Sequence, residues 1–305
     1  MKPPFSIRVP GSTSNLGPGF DSIGLAVNRY LQLDVFPAEN WQFHPRSSEV
    51  IGIPADEQNL IYQAAEFAAE QNGRRASDMQ PCEVFVSSEI PMARGLGSSG
   101  AAITAGIELA DQLLALGLAK AEKVRIGSLF EGHPDNVSAS YYGGCAIGFH
   151  TSEDTKTVQS GVPDLDIVAV IPNYELRTKD ARNVLPEQFS RRQAVSASAV
   201  TNVLVAAFFQ KDWILAGQMM EQDSFHEPFR ASLVPELELA RKARNKVGAY
   251  SAVLSGAGPT VLFFVPKGKA AEVQETLALM YPEWHTECME PAEKGLAVLQ
   301  QGERV

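Results

Sequence analysis

The sequence predicts an α+β protein built from two domains. Its 305 residues are about twice the usual length of a single domain. Strand-like and helix-like segments follow one another in a mixed order, and this order favours α+β over a doubly wound parallel sheet. A polar stretch at residues 151–163 separates the two halves. We therefore expect an N-terminal mixed α/β domain over residues 1–165 and a C-terminal α+β domain over residues 166–305.

Composition argues against several classes of protein. With 26 Lys and Arg against 36 Asp and Glu, the net charge is −10, and such a field repels nucleic acid and anionic lipid. Cys82, Cys145 and Cys288 are widely spaced, as is typical of free thiols in a reducing compartment. The N-terminus lacks the apolar region of a signal peptide, and no uncharged apolar run reaches the roughly eighteen residues of a spanning helix. We expect a soluble, cytoplasmic protein that binds neither nucleic acid nor membrane.

Periodicity and glycine content assign the elements of the N-terminal half. Alternating apolar residues indicate half-buried strands, clusters of glycine and small polar residues indicate loops, and runs of small apolar residues indicate closely packed helices. Ser98 or Ser99 is the expected N-cap of the helix after the third strand, because a serine hydroxyl accepts from the first free amides. The predicted elements are, in order, a strand at residues 5–10, a loop at 11–21, a strand at 25–36, a helix from Asn59, a strand at 83–87 and a helix beginning near Gly100.

The C-terminal half continues the mixed order of elements. A β-branched run follows the polar stretch, as is typical of a buried strand, and later segments repeat their apolar residues with the period of a helix. Two short apolar strands flank the small-residue loop at 255–260. The predicted elements are strands at 166–171, 252–254 and 261–265 and helices at 193–209, 213–221 and 235–246.

One glycine-rich segment, Gly95-Leu96-Gly97-Ser98-Ser99-Gly100, stands between a predicted strand and a predicted helix. It matches G-x-G-x-x-G, but no following strand ends in an acidic residue, so a dinucleotide fingerprint is disfavoured. It also lacks the pattern of a Walker loop and of a nucleophile elbow. Converging backbone amides, the positive end of a helix and two hydroxyls suit an anion such as phosphate. A capped strand-to-helix turn without a ligand is the alternative.

Two further glycine loops and three polar clusters are candidates for the same site. The loops at 17–19 and 256–258 each lie next to a strand, and three such loops together favour one shared ligand site, although each alone could be an ordinary turn. The cluster Glu131-Gly132-His133-Pro134-Asp135-Asn136 contains a proline, which rules out the continuous helix of a zinc-binding motif. A solvated turn without a ligand is the alternative to a functional site here. Segments 177–182 and 226–230 supply cations, for which surface charge is the alternative.

Together these segments resemble the motifs of the kinase superfamily named after galactose, homoserine, mevalonate and phosphomevalonate, the GHMP kinases. The resemblance covers nearly the whole chain and is greatest with the homoserine branch of the superfamily. Three segments resemble the superfamily motifs, namely residues 9–21 (the first motif), 91–99 (the phosphate loop) and 254–260 (the third motif). Three others indicate the homoserine branch, namely residues 131–136, 178–182 and 226–230.

The resemblance implies a fold and a reaction. The fold is the two-domain GHMP arrangement, with the phosphate loop in the N-terminal domain and a ferredoxin-like C-terminal domain. The reaction is transfer of the γ-phosphoryl group of ATP, with Mg²⁺, to the side-chain hydroxyl of L-homoserine in threonine biosynthesis. Such chemistry asks a protein mainly to position reactants and neutralise charge. The implied nucleotide contacts are Asn59, Pro91, Met92, Ala93, Arg94, Gly95, Leu96, Gly97, Ser98, Ser99, Gly100 and Ala101, with Ser255, Gly256 and Gly258 of the third motif.

The resemblance also assigns the metal ligands and the acceptor contacts. Ser98 and Glu131 would hold Mg²⁺, because a hard cation prefers hydroxyl and carboxylate oxygens. Homoserine is a zwitterion, so its pocket needs guanidinium groups for the carboxylate and an acid for the ammonium group. The implied acceptor contacts are Arg182 and Arg230 for the carboxylate, Asn15 and Asp21 for the ammonium and hydroxyl end, and His133 and Asn136 beside the transferring phosphate.

The identity of a catalytic base and the class of protein stay open at this point. Asn136 stands near the position where mevalonate kinases use an aspartate base, and an amide cannot usefully accept a proton, so the resemblance predicts direct attack by the hydroxyl. The alternatives are a catalytically inactive nucleotide sensor on the same fold and a GHMP kinase that acts on mevalonate or a sugar. The intact Glu131, Arg182 and Arg230 disfavour the sensor, and the implied contacts to a zwitterion disfavour mevalonate or a sugar as the acceptor. A homodimer is the assembly that the resemblance implies.

Overall fold

The computed structural model of the chain describes residues 3–300. Met1-Lys2, part of the N-terminus discussed above, and residues 301–305, the end of the predicted C-terminal domain, lie outside the described residues. The α-helices are α1 (Leu60–Gln71), α2 (Ser98–Leu114), α3 (Lys120–Glu131), α4 (Asp135–Tyr142), α5 (Thr178–Asn183), α6 (Arg191–Gln210), α7 (Trp213–Met220), α8 (Glu227–Arg230), α9 (Glu236–Val247) and α10 (Ala270–Met280). The strands are β1 (Phe5–Asn15), β2 (Gly19–Pro37), β3 (Gln42–Pro45), β4 (Cys82–Ser88), β5 (Cys145–His150), β6 (Thr155–Gly161), β7 (Leu165–Val170), β8 (Ser251–Leu254), β9 (Val261–Pro266), β10 (Thr286–Met289) and β11 (Ala297–Gln300).

The first sheet has seven strands, in the order β11-β1-β2-β4-β3, with β5 paired to β2 and β6 paired to β5. β1 and β2 form a long antiparallel hairpin that runs from the pair Phe5–Val35 to the pair Asn15–Gly19. The predicted loop at 11–21 is therefore wrong, because most of it belongs to these two strands. Its small polar residues are buried under the helix layer, where the amide of Ser12 donates to the carbonyl of Leu96 at 3.2 Å. Backbone pairing in a narrow space outweighs their low strand propensity.

A layer of helices covers one face of this sheet. α2 and α4 pack on β1 and β2, while α1 and α3 pack against α2. Small residues allow the close contact, since a methyl group on Gly106 of α2 would lie 2.2 Å from the carbonyl oxygen of Ile61 in α1. The predicted N-cap of α2 is wrong: the cap is Gly97, not Ser98 or Ser99. Its φ of 73° is a left-handed conformation that favours glycine over serine.

The second sheet, in the order β10-β7-β9-β8, is antiparallel throughout. Val168 and Val170 of β7 face α9 and α10 on one side. Ile167 and Ala169 face the other way and join the hydrophobic core of the first sheet. Because alternate residues of a strand point to opposite faces, β7 is apolar along nearly its whole length, and the two sheets share one continuous core.

The change from one sheet to the other falls near the predicted boundary. β6 ends at Gly161 in the first sheet, and β7 begins at Leu165 in the second. The C-terminal range departs from the prediction at its end, because β11 pairs with β1 of the first sheet. The returning chain is held by a cluster of small residues in which Ala292 packs against Ala26 and Ala139. The division into two domains otherwise stays a prediction.

Sequence patterns missed several elements, among them two short helices that carry candidate site residues. α5 and α8 contain only 6 and 4 residues, too few for a periodic pattern, yet they hold Arg182 and Arg230. β6 lies inside the polar stretch at residues 151–163. It was missed because its residues are exposed or half-buried at the edge of the sheet and show no apolar pattern. The other missed elements are β3, β5, β10, β11, α3, α4 and α10, of which α3 ends at Glu131 and α4 contains Asn136.

One helix among residues 3–300 is long and apolar enough to cross a membrane by length and composition. It is α6, in which a window of 18 residues has a mean hydropathy of 1.2 and is 22% buried. After Arg191 and Arg192 this helix carries no charge, but polar residues such as Ser196, Thr201 and Asn202 interrupt its apolar stretch. A single helix with these properties is weak evidence of a membrane span.

Candidate active site

A cavity of about 550 Å³ lies between the phosphate loop, the third-motif loop and the strand residues that flank the first glycine loop. It extends from the hairpin turn between β1 and β2 to the segment that joins β7 to α5. Charged and polar residues from both halves of the chain line it, namely Asn15, Asp21, Glu131, His133, Asp135, Asn136, Arg182 and Arg230. Apolar side chains line it as well, among them Val50, Ile53, Leu60, Ile61, Val86, Ile90 and Met92.

The phosphate loop joins β4 to α2 and reaches the cavity through its backbone. Gly95 and Gly97 have φ angles of 78° and 73°. A methyl group on Gly95 would lie 2.2 Å from the carbonyl oxygen of Ser255, and one on Gly97 would lie 2.4 Å from Oγ of Ser12. Neither position has room for a side chain. The loop therefore presents backbone amides and the positively polarised N-terminus of α2 to the cavity.

Hydrogen bonds tie the phosphate loop, the first motif and the third motif together. Oγ of Ser255 in the third motif donates to the carbonyl of Gly95 at 2.5 Å. The amide of Gly256 donates to the carbonyl of Ser14 at 3.1 Å, and Nδ2 of Asn15 donates to the carbonyl of Gly256 at 3.0 Å. The phosphate loop, the third-motif loop and the end of β1 thus form one wall of the cavity, whereas residues 17–19 do not line it; a ligand site shared by all three glycine loops stays a prediction.

Most of the predicted nucleotide contacts line the cavity, and four have other surroundings. The side chains of Leu96 and Ala101 are buried in the hydrophobic core. Ser255 does not line the cavity and instead holds Gly95. Asn59 lines it, but its amide caps α1: Oδ1 accepts from the amide of Ile61 at 3.0 Å and Nδ2 donates to the carbonyl of Pro54 at 2.8 Å. Besides Asn59, those that line it are Pro91, Met92, Ala93, Arg94, Gly95, Gly97, Ser98, Ser99, Gly100, Gly256 and Gly258.

The cluster 131–136 forms the corner between α3 and α4, where Pro134 is the N-cap of α4. Nδ1 of His133 lies 2.7 Å from Oδ1 of Asp135. Burial opposes the charge on His133, but Asp135, followed by Glu131, raises its pKa to about 9. Although burial favours the neutral acid, His133 lowers the pKa of Asp135 below its ordinary value. At neutral pH His133 is therefore a cation held by a buried carboxylate and cannot accept a proton.

Asn136 is fixed by contacts on both sides of its amide. Oδ1 accepts from Oγ of Ser12 at 2.9 Å, and Nδ2 donates to Oδ1 of Asp135 at 3.1 Å. Asp135 itself had no role predicted from the sequence. The sequence did contain a signal for a role of Asp135: it lies two residues after His133, at the first residue of a helix. The helix dipole favours a carboxylate at that position.

Glu131 presents a buried oxygen that has no partner within the described residues. Its Oε2 is out of contact with solvent and makes no hydrogen bond. Burial raises the pKa of Glu131 to about 7, against the opposing effect of His133. The first turn of α2 is close by, because a methyl group on Gly100 would lie 3.6 Å from Oε2 of Glu131, and Ser98 lines the same cavity. An unpaired carboxylate oxygen, in a cavity that a serine also lines, fits the oxygen ligands that Mg²⁺ prefers.

Asp21 and Arg182 form an ion pair on the acceptor side of the cavity. Nη1 and Nη2 of Arg182 lie 3.0 and 2.7 Å from the two carboxylate oxygens of Asp21. The backbone amide of Asp21 donates to Oδ1 of Asn15 at 3.0 Å. Donor atoms of Asp21, His133 and Asp135 all lie within 4.8 Å of one another, so this pair adjoins the α3–α4 corner.

Arg230 is 1% exposed and is bonded within the protein on one side. Its Nε donates to the carbonyl of Ala181 at 3.0 Å, and its Nη1 donates to Nδ1 of His226 and to the carbonyl of Gly256, both at 3.1 Å. Nη2 has no hydrogen bond to residues 3–300, and Arg230 lines the cavity. Burial, then Arg182, lowers the pKa of Arg230 to about 10, so it stays charged at neutral pH. Surface charge was the wrong alternative for this residue.

Comparison with known proteins agrees with this arrangement of loops. Residues 59–144 match the model of the GHMP kinases N terminal domain, and residues 204–283 match that of the GHMP kinases C terminal. The homoserine kinase of Halalkalibacterium halodurans is 52% identical over 98% of this chain and 96% of its own.

Two solved structures superpose on nearly the whole chain. One, from Listeria monocytogenes, has a TM-score of 0.82 at 39% identity and covers 97% of this chain and 100% of its own. The other, homoserine kinase from Cytophaga hutchinsonii, has a TM-score of 0.82 at 27% identity and covers 98% of each chain. With its glycine loops, acidic corner and paired arginines around one cavity, the chain belongs to the homoserine kinase family of the GHMP kinases.

Proposed function

We propose that this chain transfers the γ-phosphoryl group of ATP to the side-chain hydroxyl of L-homoserine and releases ADP and O-phospho-L-homoserine, an intermediate of threonine biosynthesis. One observation carries the proposal: the phosphate loop, the third-motif loop, strand residues that flank the first glycine loop, and a pair of arginines near Asp21 line the same cavity. The phosphate loop suits a nucleotide phosphate chain, and the arginines with Asp21 suit a zwitterionic amino acid. A cytoplasmic location and a homodimer are further predictions from the sequence.

The nucleotide would occupy the part of the cavity next to the phosphate loop. Backbone amides around Gly95 and Gly97 and the N-terminus of α2 would stabilise the negative charge of its phosphates. Apolar residues that line the cavity, such as Ile61 and Ile90, would contact the base. The amide of Asn59 is engaged in capping α1, so we assign it no hydrogen bond to adenine.

Glu131 and Ser98 would hold Mg²⁺. The unpaired, buried Oε2 of Glu131 supports this assignment, since a carboxylate oxygen in that setting is costly without a cation or a proton. When bound, the metal supplies positive charge that neutralises the phosphate oxygens. His133 adds a second positive charge beside the same acid, because Asp135 keeps it protonated.

The acceptor would replace the internal ion pair between Asp21 and Arg182. The ammonium group of homoserine would pair with the carboxylate of Asp21. The carboxylate of homoserine would pair with the guanidinium of Arg182 and with Nη2 of Arg230. Each charged group of the protein thereby keeps an oppositely charged partner, so the exchange leaves no buried charge unpaired. Both residues of the pair are about one-third exposed, which lets them separate at low cost.

Neither His133 nor Asn136 suits the part of general base, and the carboxylates of the same corner have other partners: Asp135 bonds His133 and Asn136, and Glu131 is assigned to the metal. His133 is already protonated at neutral pH, and the amide of Asn136 has no basic nitrogen. The homoserine hydroxyl would attack the γ-phosphorus directly, the bond from that phosphorus to the bridging oxygen of ADP would break, and the hydroxyl proton would leave late, to a phosphate oxygen or to solvent. Positioning and charge neutralisation are sufficient for a loose phosphoryl transition state.

An assay of ADP release with a panel of acceptors tests the function. Purified protein with ATP and Mg²⁺ is offered homoserine, mevalonate, galactose or no acceptor. We expect ADP release that depends on homoserine, with O-phosphohomoserine identified by mass spectrometry. Nucleotide binding without turnover would identify a sensor, and faster turnover with mevalonate or galactose would identify another kinase of the superfamily. Either result would contradict the proposal.

A further inference from the structure

A fully buried imidazole lies behind the acceptor side of the cavity. His226 is 0% exposed, and its ring stacks on Phe20 with centroids 5.2 Å apart and planes inclined by 23°. Its Nε2 lies 2.9 Å from the carbonyl oxygen of Gly17, in the hairpin turn of the first motif. Its Nδ1 lies 3.1 Å from Nη1 of Arg230. None of the contacts assigned above to ATP, Mg²⁺ or homoserine uses this side chain.

The two neighbours of the ring determine where its proton lies. A carbonyl oxygen can only accept, so Nε2 carries the hydrogen that bonds to Gly17. A guanidinium can only donate, so Nδ1 must be unprotonated toward Arg230. His226 is therefore neutral, in the Nε2–H tautomer. Burial and the charge of Arg230 lower the pKa of His226 to about 4, although Asp223 favours the charged form.

Asp223 does not act as a proton acceptor for this ring. Its Oδ2 lies 3.6 Å from Nε2 of His226, but the carboxylate is already occupied by backbone amides at the start of α8. Oδ1 accepts from the amide of Phe225 at 2.8 Å, and Oδ2 accepts from those of His226 and Glu227 at 3.0 and 2.7 Å. Asp223 thus anchors the segment that carries both His226 and Arg230.

A continuous chain of hydrogen bonds runs from the first motif through the imidazole to the third motif. Gly17 is joined to His226, His226 to Arg230, and Arg230 to the carbonyl of Gly256. The turn has no freedom to shift toward α7, because even a methyl group on Gly17 would lie 1.9 Å from the carbonyl oxygen of Met220. The ring of Phe20, on which His226 stacks, lies 5.4 Å from the guanidinium of Arg230.

We propose that His226 is a positioning residue that sets the orientation of the Arg230 guanidinium toward homoserine, through a neutral imidazole bridging the first motif to Arg230. Nε and Nη1 of Arg230 are engaged in hydrogen bonds to Ala181, His226 and Gly256. Nη2 is therefore the nitrogen of the guanidinium that can bind the carboxylate of homoserine. A tilt of the guanidinium would move Nη2 out of place without disturbing the phosphate loop. The inference rests on the proposed function.

Two amide substitutions separate the two contacts of the ring. His226→Asn can place its amide oxygen near the position of Nδ1 and keep the bond to Arg230. His226→Gln can place its amide nitrogen near the position of Nε2 and keep only the bond to Gly17. We expect the KM for homoserine to rise about tenfold or more in His226→Gln and less than about threefold in His226→Asn, with the KM for ATP within about twofold in both. Equal rises in both variants, or an equal rise for ATP, would overturn the proposal.

The wild-type protein and a stability control accompany these variants. Wild-type protein that releases no ADP with homoserine contradicts the proposed function, whereas wild-type turnover without the split between the variants contradicts only the role of His226. Asp212→Ala removes the N-cap of α7, because Oδ1 of Asp212 accepts a hydrogen bond from the amide of Leu215. It should lower the melting temperature and leave both KM values unchanged, which separates loss of stability from loss of orientation.

A measurement on the unaltered protein decides the matter if a variant fails to fold. Nitrogen-15 NMR of histidine-labelled protein reports which ring nitrogen carries a proton. One of the five histidines should remain a neutral Nε2–H ring from pH 8 to about pH 5, and its Nδ1 signal should shift on addition of homoserine. A cationic or Nδ1–H ring at His226, or no response to homoserine, would overturn the proposal.

Discussion

Arg182 and Asp21 face each other across the acceptor side of the cavity in a two-point ion pair, with oxygen–nitrogen distances of 3.0 and 2.7 Å. Although burial opposes its charge, Asp21 raises the pKa of Arg182. One residue comes from the hairpin that opens the first sheet, and the other comes from a single turn after the first strand of the second sheet. The pair therefore joins the two halves of the chain at the place where homoserine is proposed to bind.

Asp21→Ala should weaken homoserine binding and leave ATP binding unchanged. The substitution removes the partner of the ammonium group, a charged hydrogen bond worth about 1.5–3 kcal/mol, so the KM for homoserine should rise by about 10- to 100-fold. Because the pair is partly exposed, the free energy of unfolding should fall by less than about 1 kcal/mol. Steady-state kinetics and thermal melting measure both effects.

Asp154→Ala is the matched control for that substitution. It removes another carboxylate that pairs with a cation, Lys156, at 3.1 Å, on an exposed turn that does not line the cavity. It should change neither KM. A similar loss of homoserine affinity in both variants would show that net charge, and not Asp21 itself, governs binding.

Arg230→Ala should affect both the fold and the acceptor, unlike Arg182→Ala. Removing the Arg230 guanidinium leaves the carbonyls of Ala181 and Gly256 without their donor inside the protein, so stability should fall by about 2–3 kcal/mol. Within residues 3–300, the guanidinium of Arg182 bonds only to Asp21 and to no backbone carbonyl. We expect a raised KM for homoserine in both variants and a large fall in melting temperature only in Arg230→Ala. Equal melting temperatures would contradict the framework role of Arg230.

Gly95→Ala should impair ATP binding, whereas Gly117→Ala should not. Both positions have positive φ, at 78° and 70°, so alanine costs about 1–2 kcal/mol of backbone strain at each. At Gly117 the space is open, while at Gly95 the methyl group would meet the carbonyl of Ser255 at 2.2 Å. Calorimetric titration with a non-hydrolysable ATP analogue should show a loss of affinity only for Gly95→Ala. Unchanged affinity there would place the nucleotide elsewhere.

Glu131→Gln should abolish metal-dependent turnover and change how stability depends on pH. Burial raises the pKa of Glu131 from 4.5 to about 7 in the folded protein. The metal-free wild type should therefore lose up to about 3 kcal/mol of stability as the pH rises from 4.5 through 7, because the charged carboxylate is disfavoured only in the folded state. The Gln variant should lack this loss.

Melting curves with and without Mg²⁺ at pH 5 and pH 8 test both parts of that expectation. Added Mg²⁺ should raise the melting temperature of the wild type at pH 8 and have little effect on Glu131→Gln, because binding to the folded state stabilises it. A metal response that the substitution leaves intact would assign the metal to other ligands.

The backbone of the site was easier to predict than its side-chain chemistry. Gly95 and Gly97 could be predicted because left-handed φ angles and close backbone contacts leave a mark in composition. Arg230 could not be recognised as buried, since a lone cation in a short segment resembles surface charge. The hydrogen bond between His133 and Asp135 was not predicted. Its effect on the pKa values of both side chains depends on how deeply they are buried, and the sequence does not report burial.

The fold shows the same division. β7 and β9 were predicted nearly in full, because their apolar runs are buried on both faces. Residues 11–15 were wrongly predicted as loop, because their strand pairing depends on β2 and on α2 above them rather than on local propensity. The return of β11 to the first sheet is a long-range pairing, which no local pattern encodes.

A structure of the protein with a non-hydrolysable ATP analogue and homoserine tests the central claim most directly. The account predicts the triphosphate against the turn from Gly95 to Ser99, the homoserine carboxylate on Arg182 and Nη2 of Arg230, and the ammonium group on Asp21. Homoserine bound away from these three side chains, or phosphates bound away from that turn, would contradict it.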